Sequence, residues 1–283
     1  SGHESFKCRE LWLKKGFDFV NSGKFFKDLD AVVELGVGKN MVSAIQYWMT
    51  AFNTLDSEKK LTDFSRFIFS EDGKDPFIED IATLCLLHYF LVKINHASIY
   101  YLFFNEFRKE KSEFTRTHLV NYLKRKCEEH ETSVSDNTIE RDVGVFLSTY
   151  MNPDRVDKDS KDLSAGLLVD LGMIGRINKI DADSSVWFRV LNTDKEEIPA
   201  EILLFCILDN ENYGNSISLH DLVTANNSIG SVFSISTGGI VKKIEELTVK
   251  YKWLTYMDDA GIKEVQFKDK IDKWEVLDNY YGK

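Results

Sequence analysis

The apolar positions of the chain follow two rhythms. Over most of its length they recur every three or four residues, the spacing of an amphipathic helix; in a few short stretches they alternate with polar residues, the spacing of a strand. Met41, Ile45, Trp48 and Phe52 form one helical stripe after the turn Gly36-Val37-Gly38, and 17–20 and 25–33 read as the two helices before it. The outer side of the third helix carries Lys39, Asn40, Ser43 and Gln46. A helix-turn-helix module needs such groups on the helix that enters the major groove and contacts base edges. The same pattern also suits an ordinary helical hairpin whose polar side faces solvent.

Further helices are expected over 81–95, 98–108 and 115–129, with a polar loop over 63–80 that contains Pro76. His88, set among Leu86, Leu87, Tyr89 and Phe90, reads as a hydrogen-bonded core residue. The basic end at Lys124, Arg125 and Lys126 suits the C-terminal end of a helix dipole without any further role. A second helix-turn-helix candidate starts at Ser135 or Asp136, with Ile139, Val143, Phe146 and Leu147 inward and Asn137, Thr138 and Arg141 outward. Arg141 would face a phosphate or a guanine, or simply pair with a nearby acid. An aspartate-rich loop over 152–162 follows, and then an apolar segment at 167–174.

A strand over 185–190 would point Val186, Phe188 and Val190 inward. Helices are expected over 199–208, 218–225 and 237–251, the last with Ile240, Ile244, Leu247 and Tyr251 along one stripe. Two alternating stretches flank Asp258-Asp259-Ala260-Gly261, a hairpin turn sequence. The predicted fold is therefore mainly α with small β wings, built as tandem winged-helix or helix-turn-helix-like units over residues 1–75, 76–195 and 196–283. The third unit, with its acidic wing tip, is expected to contact protein rather than DNA.

Composition narrows the function classes. A chain of 283 residues with 43% apolar and 13% aromatic side chains is folded rather than disordered and long enough for two or three cores. The formal net charge of −10 argues against indiscriminate nucleic-acid binding, because phosphate contacts by Lys and Arg supply most non-specific affinity. Residues 1–50 carry a net charge of +1 and the remainder −11, so a DNA contact must be local. The acidic remainder would repel DNA from other faces or dock a basic partner. Cys8, Cys85, Cys127 and Cys206 lie far apart, which favours a reduced, cytoplasmic protein without a zinc knuckle or disulfide framework. The apolar run 81–104 holds His88, Lys93, Asn95 and His96, so it reads as buried helices and no membrane contact is expected.

The first residues gather chemistry. His3 and Glu4 place a proton acceptor beside a carboxylate, and Arg9, Lys14 and Lys15 are phosphate-seeking cations within the same short segment. Alternatively Phe6, Leu11 and Trp12 anchor the terminus and the charges are solvated.

A family resemblance rests on several separated motifs in order. These are Ser1-Gly2-His3-Glu4-Ser5-Phe6 with Trp12-Leu13-Lys14-Lys15-Gly16, then Glu34-Leu35-Gly36-Val37-Gly38-Lys39-Asn40-Met41-Val42, Leu86-Leu87-His88-Tyr89, Phe103-Phe104-Asn105-Glu106-Phe107 and Arg141-Asp142-Val143. From residue 1 to about 190 the chain resembles the bacterial domain-of-unknown-function family numbered four thousand and seven. Starting at Ser1, it is expected to lack a few residues ahead of the first motif. Members are associated with DNA phosphorothioation genes. The resemblance implies an SspB-like component that nicks one strand of double-stranded DNA beside sulfur-transfer and ATPase proteins, in a modification and phage-defence system. Nicking would employ Mg2+ or Mn2+ and no bound organic cofactor, with His3 and Glu4 as the catalytic candidates. The alternative is a non-catalytic DNA-binding adaptor or transcriptional regulator that recruits partner proteins, favoured by the repeated helix-turn-helix pattern and by the lack of a carboxylate pair spaced for two metals. The sequence leaves the oligomeric state open, a dimer included.

Overall fold

The computed structural model describes residues 2–152, 165–179, 185–259, 261–269 and 271–282. The aspartate-rich loop expected at 152–162 lies, but for its first residue, outside them. The chain divides into two compact units, Ser1–Val190 and Leu191–Lys283. The first unit runs α1 (Trp12–Asn21), α2 (Ala31–Leu35), α3 (Lys39–Ala51), α4 (Asp63–Phe69), α5 (Ile81–Lys93), α6 (Ser98–Leu102), a π-helical turn (Phe103–Phe107), α7 (Arg108–Glu110), β1 (Glu113–Thr115), α8 (Arg116–Glu129), α9 (Asp136–Tyr150), a 3-10 turn (Val169–Leu171), β2 (Ile174–Ile177) and β3 (Trp187–Val190).

Gly36 ends α2 in the left-handed region at φ 59°, a conformation glycine reaches at no steric cost, and the extended Gly38 then starts α3. The glycines thus reverse the chain between two helices that share the buried cluster Phe19, Ala31, Leu35 and Val42. The region 25–33 is not a continuous helix: turns occupy it until α2 begins at Ala31. Conversely, α4 takes the first seven residues of the loop expected over 63–80, while 70–80 remains irregular as expected. Thr62 caps it by accepting the Ser65 amide, and Phe64, Ile68 and Phe69 are buried, so a short buried helix outweighs a polar composition.

α5 is buried on nearly every side, as a helix through the middle of a unit is. His88 fulfils the core reading, with Nδ1 2.9 Å from the Tyr150 hydroxyl. Phe104 and Tyr150 meet the His88 ring edge-on, and Phe103 beside Phe104 packs in turn on Phe107, Phe114 and Phe146. β1, β3 and β2 form a small antiparallel sheet in which Phe114 stands opposite Phe188 and Ile174 opposite Val190. Phe188 and Val190 are buried as expected, while Val186, ahead of the strand, is 53% exposed.

The second unit contains α10 (Ala200–Leu208), β4 (Ser216–Ser218), α11 (Leu219–Thr224), α12 (Ile229–Phe233), α13 (Thr237–Lys250), β5 (Leu254–Asp259), β6 (Ile262–Phe267) and α14 (Lys273–Tyr281). Ile240, Ile244, Leu247 and Tyr251 of the α13 stripe are all buried. β4 pairs with β6 and β6 with β5, all antiparallel, with Val265 opposite both Ile217 and Tyr256. Gly261, at φ 85°, turns the hairpin. The protein is thus mainly helical with small antiparallel sheets. No helix among the described residues is long and apolar enough to cross a membrane.

Candidate functional site

α3 separates its buried and exposed residues cleanly. Ile45, Trp48 and Met49 are buried, Met41 is half-buried, and Lys39, Asn40 and Ser43 are exposed. Half-buried Gln46 and Tyr47 continue the outer side. Next to the far end of the helix, Lys59 hydrogen-bonds the Thr50 hydroxyl at 3.1 Å. Exposed ammonium, amide and hydroxyl groups therefore lie at the start of α3, and the same side becomes progressively covered towards buried Thr50.

The other expected DNA contacts have mixed placements. Lys14 pairs with Asp18 one turn on at 2.6 Å, and Lys15 donates to the Leu35 carbonyl at the end of α2. The Arg9 guanidinium lies 5.5 Å from the Trp12 ring centre. Of the three, Lys15 ties α1 to the end of α2, while the Lys14 and Arg9 contacts are local in the chain. On α9, Ser135 caps the helix by accepting the Thr138 amide, Ile139, Val143 and Phe146 are buried, and Asn137 and Arg141 are exposed. Thr138 is half-buried, with its hydroxyl 2.9 Å from Ser135 Oγ.

The amino-terminal turn is seated rather than loose. His3 is 4% exposed, stacks on Trp48 with ring centres 5.7 Å apart, and meets the edge of Tyr47. Its Nδ1 accepts the Ser5 amide, and its Nε2 lies 3.0 Å from Asp142 Oδ1 on α9. The tautomer protonated on Nε2 suits both neighbours. Trp48 Nε1 donates to the Phe6 carbonyl at 2.9 Å. The partner of His3 is therefore Asp142 and not Glu4, which is exposed in the left-handed region at φ 49°. Of the expected apolar anchors Trp12 is buried and Phe6 half-buried, whereas Leu11 is exposed.

A cleft of about 680 Å³ opens beside this turn, lined at one end by His3, Tyr47, Asn95, His96 and Asp142 and at the other by Glu106, Lys126, Cys127 and His130. Asn95 takes φ 56° after α5, which asparagine tolerates better than most residues, and the reversal presents His96 at the surface before α6. The rings of His96 and Tyr47 are 4.7 Å apart. Partial burial, with the charge of Lys59 adding to it, holds the imidazole below its ordinary range. Burial and the Asp142 carboxylate push the Tyr47 phenol well up, so it stays protonated. At the far end burial raises Glu106, but hydrogen bonds from Lys126 and Tyr122 outweigh it and leave the carboxylate below its usual value.

Local patterns in the sequence do not single out Asp142, Tyr47, Lys59 or His96 as site residues. Asp142 adjoins Arg141 and Tyr47 lies on the proposed recognition helix, so both fall within stretches that the sequence marks. His96 is a lone histidine between two apolar helices, and nothing local distinguishes it. Among the described residues no three His, Cys, Asp or Glu side chains gather as metal ligands.

A mainly helical chain of two units with this architecture belongs to the family described as protein of unknown function DUF4007, whose model matches residues 1–281. The match extends through the second unit, well past residue 190. The chain is also similar to two solved structures, a magnesium ion-bound SspB crystal structure and an SspB crystal structure. Each is 27% identical, covered over 99% of this chain and 87% of that one, with TM-scores of 0.85 and 0.86. No curated protein matches the chain in sequence. It is an SspB-like protein.

Proposed function

We propose that this protein is a sequence-directed DNA-binding component of a phosphorothioation system that nicks one strand of the duplex so that sulfur can enter the backbone. The observation that carries the reading is the likeness to SspB over 99% of the chain. The exposed polar face of α3 beside a histidine-lined cleft supports it locally. In this reading α3 is a recognition helix whose Lys39, Asn40 and Ser43 enter the major groove, Asn137, Thr138 and Arg141 on α9 form a second contact, and Arg9, Lys14 and Lys15 add phosphate contacts.

The β4 to β6 segment with α11, α12 and α13 follows the order of a winged helix, and we assign it to binding sulfur-transfer or ATPase partners. Exposed Met257 and Ile262 on the hairpin, next to Asp258 and Asp259, give it an apolar and acidic tip. His3, between Asp142 and Trp48, holds the amino-terminal turn at the cleft. Glu4, exposed on the same turn, is the carboxylate assigned to holding the attacking water. A neighbour crystallised with magnesium is compatible with a Mg2+ requirement.

A plasmid assay tests this function. Purified protein incubated with supercoiled plasmid and magnesium or manganese is expected to give open circles. Tight binding of duplex DNA without open circles under any ion would instead favour the non-catalytic adaptor.

A further inference from the structure

We propose that His96 is the general base of strand cleavage and that Lys59 holds the scissile phosphate beside it; this rests on the nicking reading above. Three geometric facts bring the pair forward. His96 is the histidine of the α3 end of the cleft that reaches solvent, because His3 is buried with both ring nitrogens already facing partners. The Tyr47 ring, 4.7 Å away, backs the imidazole and limits where it can turn. Lys59 flanks the same stretch of α3 that His96 packs against: its ammonium hydrogen-bonds Thr50, three residues past Tyr47, and it borders a neighbouring hollow with Gln46, so a phosphate there would be continuous with the polar side of that helix.

The charge balance also suits the role. The titratable groups around His96 are Tyr47 from α3, Lys59 from the loop after α3, and His3 and Asp142 across the cleft lining. Burial and Lys59 both disfavour the imidazolium, so at neutral pH the ring is a free base able to accept a proton. Binding a phosphate between Lys59 and His96 would then neutralise the lysine charge and raise the basicity of the ring when the substrate is in place.

The step is hydrolysis of a phosphodiester. His96 removes a proton from water as the water oxygen forms a bond to phosphorus. The bond from phosphorus to one ribose oxygen breaks, that oxygen takes a proton from solvent, and the products are a phosphate monoester and a hydroxyl. No oxidant or reductant is consumed.

Wild type, His96→Ala, His96→Gln and Lys59→Ala are compared for nicking of supercoiled plasmid, affinity for the same DNA and melting temperature. Both His96 variants are expected to lose on the order of 100-fold or more in nicking rate while melting and affinity hold, because the side chain is exposed. Added imidazole should restore part of the rate to His96→Ala and none to His96→Gln, a response a purely structural residue would not give. Lys59→Ala should weaken affinity and slow nicking together. If wild type nicks and His96→Ala nicks at the same rate, His96 is not the base, while the proposed function stands. Loss of activity that imidazole does not restore in a folded His96→Ala likewise overturns the base assignment. If wild type gives no open circles with either ion, the nicking reading falls and His96 with it.

Discussion

A methyl group on Gly16 would stand 2.3 Å from Met49 Sδ and 3.0 Å from Ile45 Cγ2. α1 and α3 therefore meet at a point that only a hydrogen fits. Gly16→Ala gains helix propensity but must push two buried side chains aside, and overpacking of that kind costs about 1–3 kcal/mol. The melting temperature should fall by several degrees, and an unchanged or raised value would show that Met49 yields freely. Glu4 presents the opposite case, an exposed residue without a packing role. Glu4→Gln is expected to leave melting and DNA affinity intact and to reduce nicking on the order of a hundredfold if the carboxylate orients the water. Full activity would remove Glu4 from the site. Residue by residue, the sequence reveals surfaces better than it reveals pairings. Arg141, Lys39 and Asn40 face outward as the 3.6-residue period requires, whereas the joining of His3 to Asp142 depends on two segments 139 positions apart meeting in space, which no local pattern encodes.

Elements are legible in the sequence where one apolar stripe or cap dominates. α3, α9 and α13 each have such a stripe, and the hairpin of β5 and β6 has its turn sequence. α4 and β1 are too short for periodicity to register, and β1 acquires its strand form by pairing with β3, seventy-odd residues later. If α3 is the recognition helix, replacing Lys39 and Asn40 together by alanine should weaken DNA affinity by about 1–3 kcal/mol for each base edge that either residue reads. Because both are exposed, melting should not change, and unaltered affinity would take α3 out of the interface. The π-helical turn carries another testable element. It places Glu106 against Tyr122 and Lys126 of α8. A carboxylate held below its unfolded value contributes stability that is present above that value and lost as pH falls through the folded one. Glu106→Gln should therefore lower the melting temperature near neutrality and shrink the further loss seen as acid titrates the carboxylates. An equal acid loss in variant and wild type would mean that Glu106 does not link those helices.

At the scale of the molecule, the proposed DNA and protein contacts fall in different units. Residues 1–50 have a slightly positive balance and hold α3, while the rest of the chain carries −11. A protein so acidic gains little affinity from counterion release, so DNA binding should show a shallow salt dependence set by a few phosphate contacts. The second unit has its own core, built from α10 to α14 and one three-stranded sheet, and its hairpin tip combines exposed Met257 and Ile262 with acidic residues. Ending the chain at Val190 removes that unit at the boundary between the compact bodies. The shortened protein should keep its affinity for short duplexes, because the proposed recognition helix and the histidine-lined cleft lie within residues 1–190. It should no longer pull down sulfur-transfer or ATPase proteins of the phosphorothioation system, since the proposed docking tip is gone. Both interactions are measured on one folded preparation, with circular dichroism and melting as the check on folding. Retained partner binding would move the docking surface to the first unit, and loss of both interactions from a well-folded fragment would end the division of work between DNA and protein contacts.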